Sequence, residues 1–177
     1  MDFNILYAIQ GIRTPILDQI FLAITAIMGS YGQIGLIVAA FLLVFKKTRK
    51  AGLCVLLSYF LVLLFGHVLL KDLIARPRPC HLDETIKLLV TRPDSFSFPS
   101  THTAWAFATA TSIFLYYKKA GIFAFVVAAI MGFSRMYMFV HFPTDVLAGL
   151  VMGVVVAVIS RIIVEAGFKR KLASGKK

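Results

Sequence analysis

The chain has 177 residues, 59% of them hydrophobic and only 15% charged, and it carries a formal net charge of +11. Such a composition excludes an ordinary water-soluble domain. Its two cysteines, Cys54 in an apolar run and Cys80 in a loop, form no CxxC pair, which sets aside a disulfide framework and a cysteine metal site.

Met1–Arg13 mixes Phe3, Ile5, Leu6 and Ile9 with polar residues at roughly helical spacing and predicts an interfacial helix. Asp2 stands where a signal peptide begins with basic residues, and no small-residue cleavage site follows, so this stretch is not read as a leader. Apolar stretches then recur at Ile16–Met28, Ile34–Phe45, Gly52–Leu70, Thr103–Tyr117, Gly121–Val140 and Val146–Val164. The expected fold is all-α: a polytopic membrane helix bundle of about six transmembrane helices behind the N-terminal interfacial helix. It forms a single membrane-embedded domain over 1–177, with the interfacial helix at 1–13 and a basic cytoplasmic tail at 165–177. Ile16–Met28 and Ile34–Phe45 are each shorter than the roughly 20 residues that span a bilayer, so five crossings is the other count. Gly29-Ser30-Tyr31-Gly32 between them is either a tight turn or a kink.

The positive charge is unevenly placed. Lys46, Lys47, Arg49 and Lys50 follow the second stretch, Lys118 and Lys119 the fourth, and Lys169, Arg170, Lys171, Lys176 and Lys177 the sixth; these are 11 of the 19 basic residues. With alternating crossings all three clusters share one face, which the retention of Lys and Arg assigns to the cytoplasm of a cell membrane. Six crossings also put both termini there, whereas an interfacial first segment moves the amino terminus. The excess is therefore topological, with attraction to anionic membrane lipids, and nucleic acid is not an expected partner because the aromatic residues sit in the spans.

Three segments bring ionisable residues to the opposite ends of these helices: Lys71–Pro79 (KDLIARPRP), Pro99–His102 (PSTH) and Ser134–Asp145 (SRMYMFVHFPTD). Charged groups are costly in hydrocarbon, so their clustering is a functional signal. Helix order alone gathers them on the extracytoplasmic face. Pro77 and Pro79 take the chain out of the third helix and leave Lys71 on its last turn. Lysine offers a compact charge and arginine a planar fork, a combination suited to a phosphoryl group. Arg76 is open between an anion ligand and a snorkelling anchor. Ser100 is placed as the N-cap of the fourth helix, whose free amides form an anion cradle. Pro143 fits the first position of a new helix, putting Asp145 in its first turn one helical interval from His141. A carboxylate there fixes the imidazole tautomer and leaves the other nitrogen free to attack.

In order, the segments resemble the signature motifs of the type 2 phosphatidic acid phosphatase superfamily, K-x6-R-P, P-S-G-H and S-R-x5-H-x3-D. The first and third match at every defining position, and Thr101 replaces the usual glycine of the second. The resemblance runs from about Asp18 to Val164 and implies a phosphatase needing neither metal nor other cofactor, acting on a lipid phosphate through a phosphohistidine. It implies His141 as nucleophile, Asp145 as its orienting partner and His102 as general acid. Lys71, Arg78, Ser100, Thr101 and Arg135 are implied as phosphate-binding. Undecaprenyl diphosphate is the first substrate expected, with phosphatidylglycerol phosphate and phosphatidic acid as alternatives. Vanadium haloperoxidases share the anion site but are soluble, and a non-catalytic lipid-phosphate-binding or translocating membrane protein is the competing class.

Thr101 either narrows the pocket or donates another hydrogen bond. His67, one turn before Lys71, reads as a packing histidine. The loop Cys80–Phe98, with His81, Asp83, Glu84 and Arg92, reads equally as a gate or a solvated connection. Gly149 and Gly153 form a GxxxG expected to pack within the monomer rather than between copies.

Overall fold

A computed structural model describes residues 1–28 and 32–174, and every regular element among them is helical. α1 (Asp2–Gly11) stands where the interfacial helix was expected, with Leu6 and Ile9 buried. α2 (Pro15–Met28) and α3 (Gln33–Val44) follow. α4 (Arg49–Leu61) continues through a π-helical segment, Val62–Leu70, into α5 (Lys71–Ile74). α6 (Pro79–Leu82) is a single turn, and α7 (Thr101–Phe114), α8 (Lys118–Tyr137) and α9 (Pro143–Ser174) complete the bundle. Three segments, Arg49–Leu82 with a break at 75–78, Lys118–Tyr137 and Pro143–Arg170, are long and apolar enough to cross a membrane.

Contacts at the ends give the path of the chain. Asp18 at the start of α2 accepts a hydrogen bond from Tyr137 at the end of α8, and Arg13 donates to the carbonyl of Lys87, so α2 begins at the motif end. The Lys47 carbonyl just past α3 accepts from Tyr117 at the start of α8, at the lysine end. At 14 and 12 residues, α2 and α3 are about 21 and 18 Å long, each short of the ~30 Å hydrocarbon core. Together they carry the chain once from end to end, so the described residues traverse the bundle five times, the lower of the two expected counts. The ion pair of Asp2 with Arg76 puts the amino terminus at the motif end, and α9 runs away from it. Asp2 and the end of α9 at Ser174 therefore lie at opposite ends of the bundle, whereas six crossings put both on one side. Residues 29–31, most of the expected turn or kink, lie outside the described residues. The stretch expected as a tail from 165 remains helical to Ser174.

α7 is the central helix. Ten of its 14 residues are buried, which its small Ala, Thr and Ser side chains permit on all sides. The outer helices show the reverse pattern: Leu147, Val151, Val155 and Ile162 on α9 are exposed apolar residues, as a lipid-facing surface requires. Gly149 and Gly153 face α7 within the monomer, as expected. A Cβ on Gly149 would stand 2.4 Å from the Ser100 carbonyl oxygen, and one on Gly153 2.5 Å from that of Ala104. Only glycine lets the two backbones approach so closely. Cys54 and Cys80 are both free and buried, Cys80 within a cluster containing Leu6, Met138 and Phe142.

Candidate active site

The chain leaves α5 through Ala75 and leaves α8 through Phe139, both left-handed, with φ of 47° and 58°. A side chain with a Cβ is disfavoured there. These two turns swing Arg76–Arg78 and His141 toward the same point. α7 starts beside them, the residue before it held by the Ser100 N–H donating to the Asp145 carbonyl at 3.1 Å.

A cavity of about 610 Å³ opens at this junction, lined by Lys71, Arg78, Thr101, His102, Arg135 and His141 together with His67 and the loop residues Asp94 and Ser95. Six of the eight expected site residues thus share one cavity. Ser100 and Asp145 lie behind its wall, both wholly buried. Ser100 occupies the expected N-cap position, but its hydroxyl pairs with that of Thr103 at 2.9 Å and makes no capping bond to a backbone amide.

Three cations are buried here, Lys71, Arg78 and Arg135 being 3%, 4% and 5% exposed. Buried charges need dense hydrogen bonding. Lys71 Nζ donates to the Phe96 carbonyl at 2.8 Å and to Ser95 Oγ at 3.3 Å. Arg78 donates to the Ser95 carbonyl at 2.6 Å, to Ser95 Oγ at 3.0 Å and to the Val140 carbonyl at 2.8 Å. Arg135 donates to Ser134 Oγ at 3.1 Å and to Thr25 Oγ1 on α2. None of these acceptors carries formal charge, so the positive potential in the cavity is not cancelled by its own ligands.

Arg78 Nη1 also lies 3.1 Å from His141 Nε2. A guanidinium only donates, so Nε2 is the acceptor and its lone pair is directed at the cation. The proton of the neutral ring then resides on Nδ1, which faces Asp145 Oδ2 at 3.5 Å. That spacing exceeds a formed hydrogen bond, and Nδ1 is unpaired. Burial, and then the charges of Arg78, Lys71 and Arg135, hold His141 well below the ordinary imidazole range. A neutral ring whose unprotonated Nε2 is held only by a guanidinium that can turn to a phosphoryl oxygen suits a nucleophile toward phosphorus. His102 lines the cavity with its ring edge-on to Trp105, centroids 6.0 Å apart.

Several participants were not singled out from sequence. Ser95 anchors two of the three cations, Thr25 anchors the third, and His67, expected to be packing, faces the cavity. The Cys80–Phe98 loop is a structured cover. It is tied to α1 by Tyr7 donating to Asp83 at 2.8 Å, and it supplies Val90, Thr91, Pro93, Asp94 and Ser95 to the cavity. Arg76 is neither an anion ligand in this cavity nor a snorkelling side chain; it pairs with Asp145 at 2.6 Å.

Residues 51–169 match the model of the PAP2 superfamily. The chain belongs to the PAP2 superfamily. Among curated PAP2 relatives is an undecaprenyl-diphosphatase of Sulfolobus acidocaldarius, 33% identical over 129 residues; the match takes in 71% of this chain and 62% of that protein's length. The crystal structure of a transmembrane PAP2 type phosphatidylglycerolphosphate phosphatase from Bacillus subtilis superposes with a TM-score of 0.73 at 32% identity, covering 96% of this chain and 85% of that one. That of Aquifex aeolicus LpxE gives a TM-score of 0.71 at 31% identity, covering 90% and 93%. The short helices and the long α9 thus belong to the architecture of a multi-pass PAP2 membrane protein.

Proposed function

We propose that this chain is a membrane phosphatase that removes the terminal phosphate of a lipid phosphate or diphosphate through a phosphohistidine. The observation that carries this reading is that His141 lines a cavity shared with three buried cations, its Nε2 3.1 Å from Arg78 Nη1. His141 Nε2 attacks phosphorus while the bond to the lipid-side oxygen breaks, and His102 gives that oxygen its proton. Water then attacks the phosphohistidine, giving a proton back to His102 and releasing inorganic phosphate with His141 restored. Lys71, Arg78 and Arg135, with the backbone amides at the start of α7, stabilise charge on the transferring oxygens. Asp145 favours the positive ring formed on attack.

Undecaprenyl diphosphate is the substrate we favour, since a relative bears the name of that activity and a site at the motif end suits a lipid carrier presented on the outer face. Phosphate release by the purified protein from undecaprenyl diphosphate, phosphatidylglycerol phosphate and phosphatidic acid, in excess EDTA, ranks the substrates. Turnover is expected in chelator, and His141→Ala is expected to lower it about 10⁴-fold or more without unfolding the protein. A folded His141→Ala variant that keeps turning over rules the mechanism out.

We also propose that the motif end is extracytoplasmic and the lysine end cytoplasmic. Cys80 is only 1% exposed and cannot report sidedness. Glu84, with 71% of its side chain exposed, can. A Glu84→Cys variant lacking both native cysteines is expected to react with a membrane-impermeant thiol reagent in intact cells, while the matching Lys118→Cys variant reacts only after lysis. The opposite pattern inverts the orientation.

A further inference from the structure

We propose that the amino-terminal helix is a working part of the catalytic apparatus: Asp2 and Arg76 act as positioning residues that hold Asp145 against His141. The inference rests on the phosphohistidine reading above. Asp145 is wholly buried, and a buried carboxylate keeps its charge only beside a cation or dense donors. The phosphate-side cations do not serve it, because their donors go to carbonyls, hydroxyls and His141. Arg76 is the cation that does, through Nη1 to Asp145 Oδ1 at 2.6 Å. The other oxygen, Oδ2, accepts the Phe142 N–H at 2.8 Å and faces His141 Nδ1. The two oxygens thus divide their tasks, Oδ1 to the arginine and Oδ2 to the imidazole.

Arg76 is itself held from α1. Its Nη2 donates to Asp2 Oδ2 at 2.9 Å, and its Nη1 donates to Thr144 Oγ1 at 2.7 Å. Thr144 Oγ1 donates in turn to Asp2 Oδ2 at 2.7 Å, closing a ring of three side chains around the guanidinium. The face of Arg76 lies 4.0 Å over the Phe142 ring, and Phe3 meets that ring edge-on at 5.3 Å. A planar fork bridging two carboxylates in fixed geometry is a task a lysine performs only in part. Thr144, next to Asp145, and Phe142, three residues before it, are thereby tied to α1 residues 142 and 139 positions away in the chain.

The test separates positioning from substrate binding. Arg76→Gln is expected to lower kcat about 10- to 100-fold, the usual loss when an outer partner of a reacting group is removed. KM and the inhibition constant for inorganic phosphate, which reports the Lys71, Arg78 and Arg135 clamp without a bond to Nε2, are expected to stay within about twofold. Arg76→Lys is expected to recover part of kcat. Asp2→Asn, at a partly exposed position, is expected to lower kcat several-fold in the native background and to add nothing in Arg76→Gln, since both act through Asp145. Unchanged kcat in Arg76→Gln overturns the proposal, as do weakened binding of inorganic phosphate or additive losses in the double variant. Turnover that survives His141→Ala instead overturns the phosphohistidine reading on which the proposal stands, so the two failures are distinguishable.

Discussion

The two ends of the bundle use the same residue types in opposite ways. At the motif end Lys71, Arg78 and Arg135 are almost completely enclosed, and their donors end on carbonyls and hydroxyls. At the lysine end Lys50 pairs with Glu165 at 2.8 Å, with side chains 40% and 30% exposed, and Lys118 lies over the Phe114 ring in an exposed position. Net charge alone merges these populations. Enclosure separates them: a buried cation left without its partners is strongly destabilising, whereas an exposed pair contributes about 0.2–1 kcal/mol. On the reading proposed above, the first population receives a ligand and the second orients the chain.

The sharpest break between them comes from deleting one cation at each end. Arg78→Ala is expected to lower kcat/KM about 10²- to 10³-fold, the scale for removing one donor to a transition-state oxyanion. Lys46→Ala at the other end is expected to leave kcat/KM unchanged. Comparable losses at both ends, measured as phosphate release by folded protein, would end the distinction.

A smaller effect concerns pH. Because burial and then the neighbouring cations hold His141 well below its ordinary value of 6.5, the ring stays neutral as pH falls through 6.5 and the nucleophile is not lost there. The acid limb of kcat/KM assigned to this group is expected well below pH 6.5. Arg78→Gln, which removes the largest of the charge contributions, should move that limb upward, each unit of displacement being worth tenfold in available nucleophile. A native limb at 6.5 that does not move in Arg78→Gln contradicts this electrostatic picture. Smallest of all, Lys50→Ala is expected to destabilise the fold by less than ~1 kcal/mol, and high salt should erase the difference. A larger loss in thermal or denaturant unfolding would make the lysine end structural.

The site was legible wherever chemistry rests on side-chain type at fixed spacing. Lys71, Arg78, His102, Arg135 and His141 reach one cavity because helix order forces the ends of three helices together. Asp145 was legible as a neighbour of His141 one helical interval away, but not as the partner of Arg76. That pairing depends on a left-handed turn at Ala75, and alanine does not advertise such a turn. Asp2 was read only as an argument against a leader, because nothing local connects it with a residue 74 positions on. The number of traverses turned on two apolar runs each too short to cross alone. Hydropathy gives their length but not whether they stack end to end. Ser95 was invisible for another reason: its carbonyl does as much as its hydroxyl, and every residue has a carbonyl.

That last property bears on how such a protein changes over generations. Two members of the clamp, Lys71 and Arg78, are fastened in large part to the main-chain oxygens of Ser95, Phe96 and Val140, which no substitution deletes. Neighbouring side chains of the cover, such as Thr91, Pro93 and Asp94, face the cavity without holding Lys71 or Arg78 in place. They are free to drift, and with them the shape presented to a headgroup. An architecture fastened in this way can exchange one lipid substrate for another by neutral steps while its reactive centre stands still.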